Sequence, residues 1–296
     1  MTAPALHLAS PVSLAPATGL AADATSATHI ADRAVKALLA ELSAWPKPGL
    51  VSYVDTGSHR DMNAALLETS ARSLHPFFAE LALAGRRDAP MDELREIGKR
   101  AEAAMLTVTG GVNTHRGAIF GLGLLCAAAG HQAGAHGTDT ALGVIVARRW
   151  GDTIRCGSIH LSSHGAAALR RYGVGGARAE AAAGFPSVYE DGLPALREGR
   201  RLRPGEADAA SIQACFTLIA TVEDTNLLHR GGRSGARYAS DTAKAFLSAG
   251  GVGGGNWQRR AAEIHAAFVA RKLSPGGCAD LLAMTLFIDM MEVPND

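Results

Sequence analysis

Polar side chains suited to anion binding and acid–base chemistry gather in a few short segments, each beside a helical pattern. The clearest is "GGVNTHRGAIF" (residues 110–120), where polar residues directly precede a long apolar run. Thr114 is suited to be the helix N-cap. His115 and Arg116 would then occupy the first turn, where a cation is unfavourable unless an anion shares the site. The segment, with two glycines that let the backbone approach a ligand, predicts an anion site at the start of a buried helix.

Two clusters nearer the N-terminus combine carboxylates with a cation. In "ELSAWPKPGLV", Glu41 falls in the last turn of a predicted helix, where a carboxylate opposes the helix dipole. Two prolines hold Lys47 on a stiff segment, where it either binds an anion or is a solvated turn lysine. In "DTGSHRDM", His59 and Asp61 share a glycine-containing loop, and Asp61 suits either a metal site or the N-cap of the next helix.

A fourth cluster, "TVEDTNLLHRGG", follows an apolar helical run. Asp224 would lie at the helix C-terminus, a disfavoured place for a carboxylate unless Mg²⁺ or another cation offsets it. The alternative is an Asx turn that caps a helix. Asn226 and Arg230 follow within the same segment and add an amide and a cation to it.

A glycine-rich loop in "YGVGGARAEAAAGFPSV" precedes a helix start that carries Arg178 and Glu180. It lacks the pattern of a P-loop, and no strand–helix alternation supports a dinucleotide site. Together the clusters suit a polyphosphate on cations and helix N-termini, Mg²⁺ on carboxylates, and a spare carboxylate for proton transfer. The residues alone therefore predict a helical enzyme for a phosphorylated substrate and do not name its reaction.

The elements that must position these groups are helices, because apolar residues recur with helical spacing in almost every segment. The chain is rich in Ala and only 5% aromatic, which also favours helices over strands. We predict an all-α fold, a single compact multi-helix domain over residues 28–296 with a central buried helix at 115–129. The other predicted helices are 30–42, 62–84 with a kink at Pro76, 90–106, 138–150, 158–170, 177–183, 188–198, 208–222, 234–247, 257–271 and 276–290.

Composition narrows the class of partner. The 296 residues carry a formal net charge of +1, so no basic field predicts nucleic acid or anionic membrane as a partner, and any anion site must be local. No apolar run reaches the roughly 18 residues of a membrane span. The four widely spaced cysteines indicate a reduced, cytoplasmic protein. We expect residues 1–27, interrupted by Pro11 and Pro16, to form a flexible tail; a secretory signal is the alternative.

The polar segments, taken together, resemble the triphosphoribosyl-dephospho-CoA synthase family. Five motifs occur in the family's order: "PKPGLV" (46–51), "GSHRDM" (57–62), "GGVNTHRGAIF" (110–120), "YGVGGARAEAAAGFPSV" (172–188) and "DTNLLHRGG" (224–232). Citrate-type members read "PGLVD…GAH", where this chain has Ser52 and Ser58. That departure and the wording of the third motif favour the branch that serves malonate decarboxylase.

The resemblance implies that ATP donates its triphosphoribosyl group to the 2′-hydroxyl of dephospho-CoA with release of adenine. It also implies Mg²⁺ on the triphosphate and a base for the hydroxyl. Carried onto this sequence, the metal ligands would be Asp61, Asp224 and Glu41. The catalytic residues would be Glu180 as the base, Asp224 and Asn226. The substrate- and phosphate-binding residues would be Lys47, His59, Asn113, Thr114, His115, Arg116, Arg178 and Arg230.

Two other readings use the same residues. One is a helical, Mg²⁺-dependent glycohydrolase of ADP-ribose-type substrates, and the other is a non-catalytic helical protein that binds a nucleotide. The family resemblance further implies a hand-over of product to a phosphoribosyl-dephospho-CoA transferase for the acyl carrier protein. A homodimer is the default expectation for a helical enzyme of this size.

Overall fold

The computed structural model describes residues 17–134, 140–157 and 172–292, and for 17–22 and 207 only their backbone. These residues form helices and turns, with no strand among them, so the predicted all-α fold is confirmed. A π-helical turn spans Ser187–Gly192, and a 3-10 turn spans Gly251–Gly253. The α-helices are α1 (Ala17–Ser43), α2 (Ala64–Ser73), α3 (His75–Arg86), α4 (Met91–Val108), α5 (Arg116–Ala133), α6 (Leu142–Cys156), α7 (Gly176–Ala182), α8 (Leu193–Leu202), α9 (Ala207–Thr221), α10 (Thr225–Ser248), α11 (Trp257–Ala270) and α12 (Gly276–Glu292).

Helix α5 is the centre of the molecule, as its almost uniformly apolar sequence predicts. Its residues from Ala118 to Gly130 are buried except Phe120, and it contacts α1, α3, α4, α6 and α12. Its contact with α3 is close enough that a Cβ on Gly85 would collide with the Ala127 carbonyl oxygen. Small residues on both helices therefore allow backbone-to-backbone packing that larger side chains would prevent.

Two boundaries differ from the sequence-based expectation. Helix α1 begins at Ala17, so residues 17–27 of the predicted tail are helical, and Ala27 is already buried in the core. The predicted helix 62–84 is two helices that meet at Leu74, and Pro76 lies in the first turn of α3. That position tolerates proline because its missing N–H would have no helical partner there.

The remaining elements follow the predicted pattern with shifted ends. Helix α10 begins at Thr225 and contains Gly232 in a non-helical conformation, so the chain bends inside the "DTNLLHRGG" motif. The predicted helix 158–170 lies outside the described residues. Among the helices that are described, none is long and apolar enough to cross a membrane.

Candidate active site

The motifs converge on a segment that the sequence analysis did not single out: residues 272–280, "KLSPGGCAD", named here the hub segment. It forms the loop after α11 and the first turns of α12. Four of the five motifs contact it directly. The remaining motif, "YGVGGARAEAAAGFPSV", reaches the hub segment through α10, because Gly176 at the start of α7 lies against Thr225.

The first two motifs rest on the loop part of the hub segment. Gly49 has φ +67°, and a Cβ there would collide with the Leu273 carbonyl oxygen. Ser58 Oγ donates to the same carbonyl at 2.6 Å, and His59 Nε2 lies 2.9 Å from Ser274 Oγ. Ser58, one of the two departures from the citrate-type pattern, therefore ties its loop to the hub segment.

Asp224 joins the start of α10 to the hub segment, in which α12 begins. Its Oδ1 accepts from Asn226 N at 2.7 Å and Leu227 N at 3.1 Å, which caps α10. Its Oδ2 accepts from Cys278 N at 2.8 Å in the first turn of α12. Burial raises the pKa of this carboxyl, which is 2% exposed. For Asp224 the sequence allowed either a cation site or an Asx turn that caps a helix, and the structure contains the capped helix.

The start of α5 is built differently from the prediction. Its N-cap position is His115, so the prediction of Thr114 as N-cap is wrong. Thr114 Oγ1 instead lies 2.7 Å from Ser70 Oγ on α2. Asn113 Oδ1 accepts from Arg116 N at 3.2 Å and takes over part of the capping.

His115 is a buried neutral side chain. Its Nδ1 lies 2.8 Å from Ser70 Oγ, and its backbone N–H donates to Met105 Sδ at 3.2 Å. Burial lowers the pKa of His115 to about 4, so it carries no positive charge at neutral pH. In this arrangement His115 supports the loop and supplies no cation to a phosphate.

Most of the predicted cations already have internal partners. The Lys47 ammonium is fully buried and lies 2.5 Å from Glu41 Oε1, so these two predicted site residues neutralise each other. Arg116 forms an ion pair with Glu102, which is the anion that its place in the first turn calls for. Arg178 donates to the carbonyl oxygens of residues 154 and 157 at the end of α6.

Glu180 is half-buried on α7, next to the π-helical turn. Its Oε1 accepts from Ser187 N at 2.7 Å. Burial raises the pKa of Glu180, with smaller opposing effects from that hydrogen bond. A raised pKa makes a carboxylate a stronger proton acceptor.

An open cleft of about 690 Å³ lies between the "GSHRDM" loop, α2 and the end of α4. It brings together His59 and Asp61, whose Nδ1 and Oδ1 are 3.6 Å apart, and Arg230 reaches to within 3.2 Å of His59 Nδ1. Burial, and then the charge of Arg230, lower the pKa of His59. Asp61 is 63% exposed and does not cap α2, because Asn63 does so by accepting from Leu66 N. The prediction of Asp61 as N-cap is therefore wrong.

Sequence comparison then decides the family. The profile of the family described as ATP:dephospho-CoA triphosphoribosyl transferase matches residues 27–296. This chain belongs to that transferase family. The prediction made from the five motifs is thereby confirmed.

Relatives agree along most of their length. A probable 2-(5''-triphosphoribosyl)-3'-dephosphocoenzyme-A synthase of Stutzerimonas stutzeri is 42% identical over 272 residues, which is 90% of this chain and 93% of the relative. Proteins of the same name from Pseudomonas aeruginosa and Azotobacter vinelandii are also 42% identical, over 88% and 90% of this chain and 90% and 92% of theirs. No solved structure matches the chain.

In this member of the transferase family, the predicted metal ligands do not form one site. Asp224 is held by three backbone N–H groups, Glu41 pairs with Lys47, and only Asp61 is well exposed. Across the described ranges, no three His, Cys, Asp or Glu side chains are placed to hold a metal ion. A three-carboxylate Mg²⁺ site therefore does not fit this arrangement.

The sequence analysis missed residues of the transferase that lack charge patterns of their own. His265 on α11 is buried, with Nδ1 2.6 Å from the Lys47 carbonyl oxygen and Nε2 3.1 Å from Asp55 Oδ1. It thus joins the first motif to Asp55, which lies between the first two motifs. Arg60 lines the cleft and forms no ion pair within the described part of the chain. The sequence feature that could have indicated the hub segment is its Pro-Gly-Gly sequence just before an apolar helix.

Proposed function

We propose that this protein transfers the 5-triphosphoribosyl group of ATP to the 2′-hydroxyl of 3′-dephospho-CoA and releases adenine. The observation that carries the proposal is the family match over residues 27–296, which includes all five motifs and the hub segment. The names of the 42% identical relatives describe the same product.

The reaction exchanges one bond at C1′ of the ribose of ATP. The 2′-oxygen of dephospho-CoA forms a bond to C1′ while the bond from C1′ to the adenine nitrogen breaks, and its electron pair leaves with the base. The hydroxyl proton passes to a protein base, and the departing adenine takes up a proton. Because C1′ develops oxocarbenium character, as in glycoside hydrolysis, positioning and charge stabilisation are the contributions expected of the protein.

For the triphosphate, we favour the side of the cleft that His59 and Arg60 line and next to which Arg230 lies. Among the described residues, Arg230 hydrogen-bonds to His59 and to the carbonyl oxygens of Ser58 and Lys272, at 3.2 to 3.4 Å. Such weak contacts leave its charge available to a phosphate, unlike the charge of buried Lys47. Mg²⁺ would arrive with the triphosphate, and exposed Asp61 is the predicted ligand that could meet it.

For the proton acceptor, Glu180 remains our candidate, since burial raises its pKa. Asn113 and Asn226 are the candidates for orienting substrate. Asn113 lies at the start of α5, and Asn226 lies at the start of α10 next to Gly276 of the hub segment. Asp224 would act by fixing Asn226 through its hydrogen bond to the backbone of that residue.

We also propose that the product serves the acyl carrier protein of malonate decarboxylase, through hand-over to a phosphoribosyl-dephospho-CoA transferase in the cytoplasm. Ser52 and Ser58 support this branch over the citrate lyase branch. Both have structural tasks here: Ser52 Oγ accepts from Val54 N at 3.1 Å, and Ser58 anchors its loop to Leu273. A homodimer is part of the same proposal.

One assay tests the reaction. The protein is incubated with ATP, Mg²⁺ and dephospho-CoA, adenine is followed by chromatography, and the nucleotide product is weighed by mass spectrometry. We expect adenine only when dephospho-CoA is present, together with a product that retains three phosphates. Adenine release without dephospho-CoA would indicate a glycohydrolase instead, and ligand binding without turnover would indicate a binding protein.

A further inference from the structure

We infer that Asp280 is a positioning residue: from α12 it holds the first turn of α5, and with it the "GGVNTHRG" loop, where substrate binding needs it. The inference rests on the proposed function for its catalytic consequence. Its structural part, the link between α12 and α5, stands on contacts within the protein.

Asp280 lies directly against the start of α5. A Cβ on Gly117 would collide with Asp280 Oδ2, so only glycine at residue 117 lets the carboxylate come this close. The backbone N–H of Ala118, the third residue of α5, faces the carboxylate and favours its charged form. Asp280 therefore does, from a distant part of the chain, what a local N-cap side chain usually does.

Among the described residues, the local side-chain capping of α5 comes from Asn113 Oδ1, which accepts from Arg116 N at 3.2 Å, and the distant carboxylate adds to it. His115 occupies the N-cap position, and within the described structure it makes no side-chain cap hydrogen bond. Its ring is hydrogen-bonded to Ser70 Oγ instead. A Ser, Thr or Asp at 115 would cap the helix locally, but it would leave the "GGVNTHRG" loop unattached to α12.

The electrostatic surroundings indicate that Asp280 is more than a packing residue. In the part of the chain that the structure describes, it forms no ion pair, and its nearest charged neighbours include the carboxylates Asp224 and Glu41. Burial and these carboxylates raise its pKa. A carboxyl group in such a place is costly unless the positive end of a helix offsets it, and α5 presents that end.

The consequence is a rigid junction of three helix starts. Asp224 caps α10 and α12, and Asp280 of α12 caps α5. The segments fixed in this way carry Asn113 and Arg116 on one side and Asn226 and Arg230 on the other. Loss of the Asp280 contact should therefore misplace Asn113 and Arg116 relative to Asn226 and Arg230 while leaving the core of α5 intact.

The test compares Asp280→Ala with Asp280→Asn, whose amide oxygen can still accept from Ala118 N. We expect Asp280→Ala to lower kcat/KM by about 10- to 100-fold, the size of a small misplacement of substrate groups. Asp280→Asn should keep most of the activity. Loss of activity in both variants would make Asp280 a proton-transfer group and overturn the positioning role. Full activity in Asp280→Ala would overturn it as well.

A second variant probes the same contact from the other side. Gly117→Ala should push the carboxylate away and lower kcat/KM as Asp280→Ala does, and the double variant should be no worse than either single one. The matched control is Gly98→Ala on α4, where an added Cβ meets no described atom within 4 Å. Additive losses in the double variant would contradict the proposed contact.

Hydrogen exchange separates this inference from the proposed reaction. Protection of the Ala118 amide should fall in Asp280→Ala and persist in Asp280→Asn, whether or not the wild-type protein releases adenine. Unchanged protection in Asp280→Ala refutes the link between α12 and α5. Absence of adenine release from the wild-type protein, with the protection pattern as expected, refutes only the proposed reaction.

Discussion

Lys47 and Arg230 both carry a positive charge within family motifs, but their surroundings give them different tasks. Lys47 is 0% exposed and paired with Glu41, so its charge is used inside the protein. Arg230 is exposed and touches mainly carbonyl oxygens and His59. At the residue scale, an exposed cation without a carboxylate partner is more available to a triphosphate than a buried, paired one.

Arg230→Ala should therefore raise KM for ATP and lower kcat/KM by about 10- to 100-fold, because a charged hydrogen bond contributes about 1.5–3 kcal/mol. Steady-state kinetics of adenine release measure this. Arg237→Ala is the control, since Arg237 lies on the same helix but pairs loosely with Asp241 at 3.6 Å. Equal kinetics for the two variants would remove Arg230 from the site.

His115 gives a prediction about stability and pH. Burial lowers its pKa from 6.5 to about 4, so the unfolded chain binds a proton in this range while the folded protein does not. The contribution to stability is complete above pH 6.5 and is lost as pH falls towards 4, by up to about 3 kcal/mol. Urea unfolding at several pH values should show this loss in the wild-type protein and a smaller one in His115→Gln. His29→Gln, at an exposed position, should behave like the wild-type protein.

At the scale of elements, the candidate site lies where several helix starts meet the loops that the hub segment holds. Helices α5, α10 and α12 begin close together, and the first two motif loops rest on the turn that precedes α12. Helix N-termini present unpaired N–H groups and a positive partial charge. In this protein Asp224 and Asp280 use part of that charge to hold the helices in place.

Gly49→Ala should break this docking. Its φ of +67° disfavours any side chain, and the new Cβ would collide with the Leu273 carbonyl oxygen. We expect a loss of at least about 1 kcal/mol in the free energy of unfolding, and lower activity, since the "PKPGLV" and "GSHRDM" loops must move. Gly98→Ala on α4 should instead stabilise the protein by roughly 0.5–1 kcal/mol, because alanine favours helix. Denaturant unfolding of both variants measures these changes. A Gly49→Ala protein as stable as the wild type would contradict the close packing of Gly49 on Leu273.

At the scale of the whole molecule, a net charge of +1 gives little long-range attraction for a nucleotide. Recognition must therefore come from a local arrangement of residues, for which we propose the open cleft of about 690 Å³. Because a ligand that binds only the folded state stabilises it, substrate binding can be read from thermal unfolding of the intact chain.

Mg²⁺–ATP at 100 times its Kd should stabilise the protein by about 2.7 kcal/mol and raise Tm by several degrees. Inorganic tripolyphosphate should give part of this shift, and adenosine should give little, if the triphosphate provides most of the binding energy. EDTA should reduce the ATP shift if the metal contributes to binding. A larger shift with adenosine than with tripolyphosphate would contradict the assignment of the cleft to the triphosphate.

The sequence by itself determined the helical class, the buried helix α5 and the family. Apolar spacing reports which face of a helix is buried, and glycine and proline mark its ends, so these features follow from local physics. Five long motifs in a fixed order also identify a family without any structure. Local patterns place boundaries less well, as the early start of α1 and the break at Leu74 illustrate.

Only the tertiary structure decided which charges neutralise each other and what holds the site together. Glu102 meets Arg116, Asp280 meets Gly117 in the first turn of α5, and Asp224 meets Cys278, across separations of 14, 163 and 54 residues. Asp280 sits inside an apolar helix and shows no pattern of its own in the sequence. Such partners depend on how distant helices pack, and no periodicity within a single segment encodes that packing.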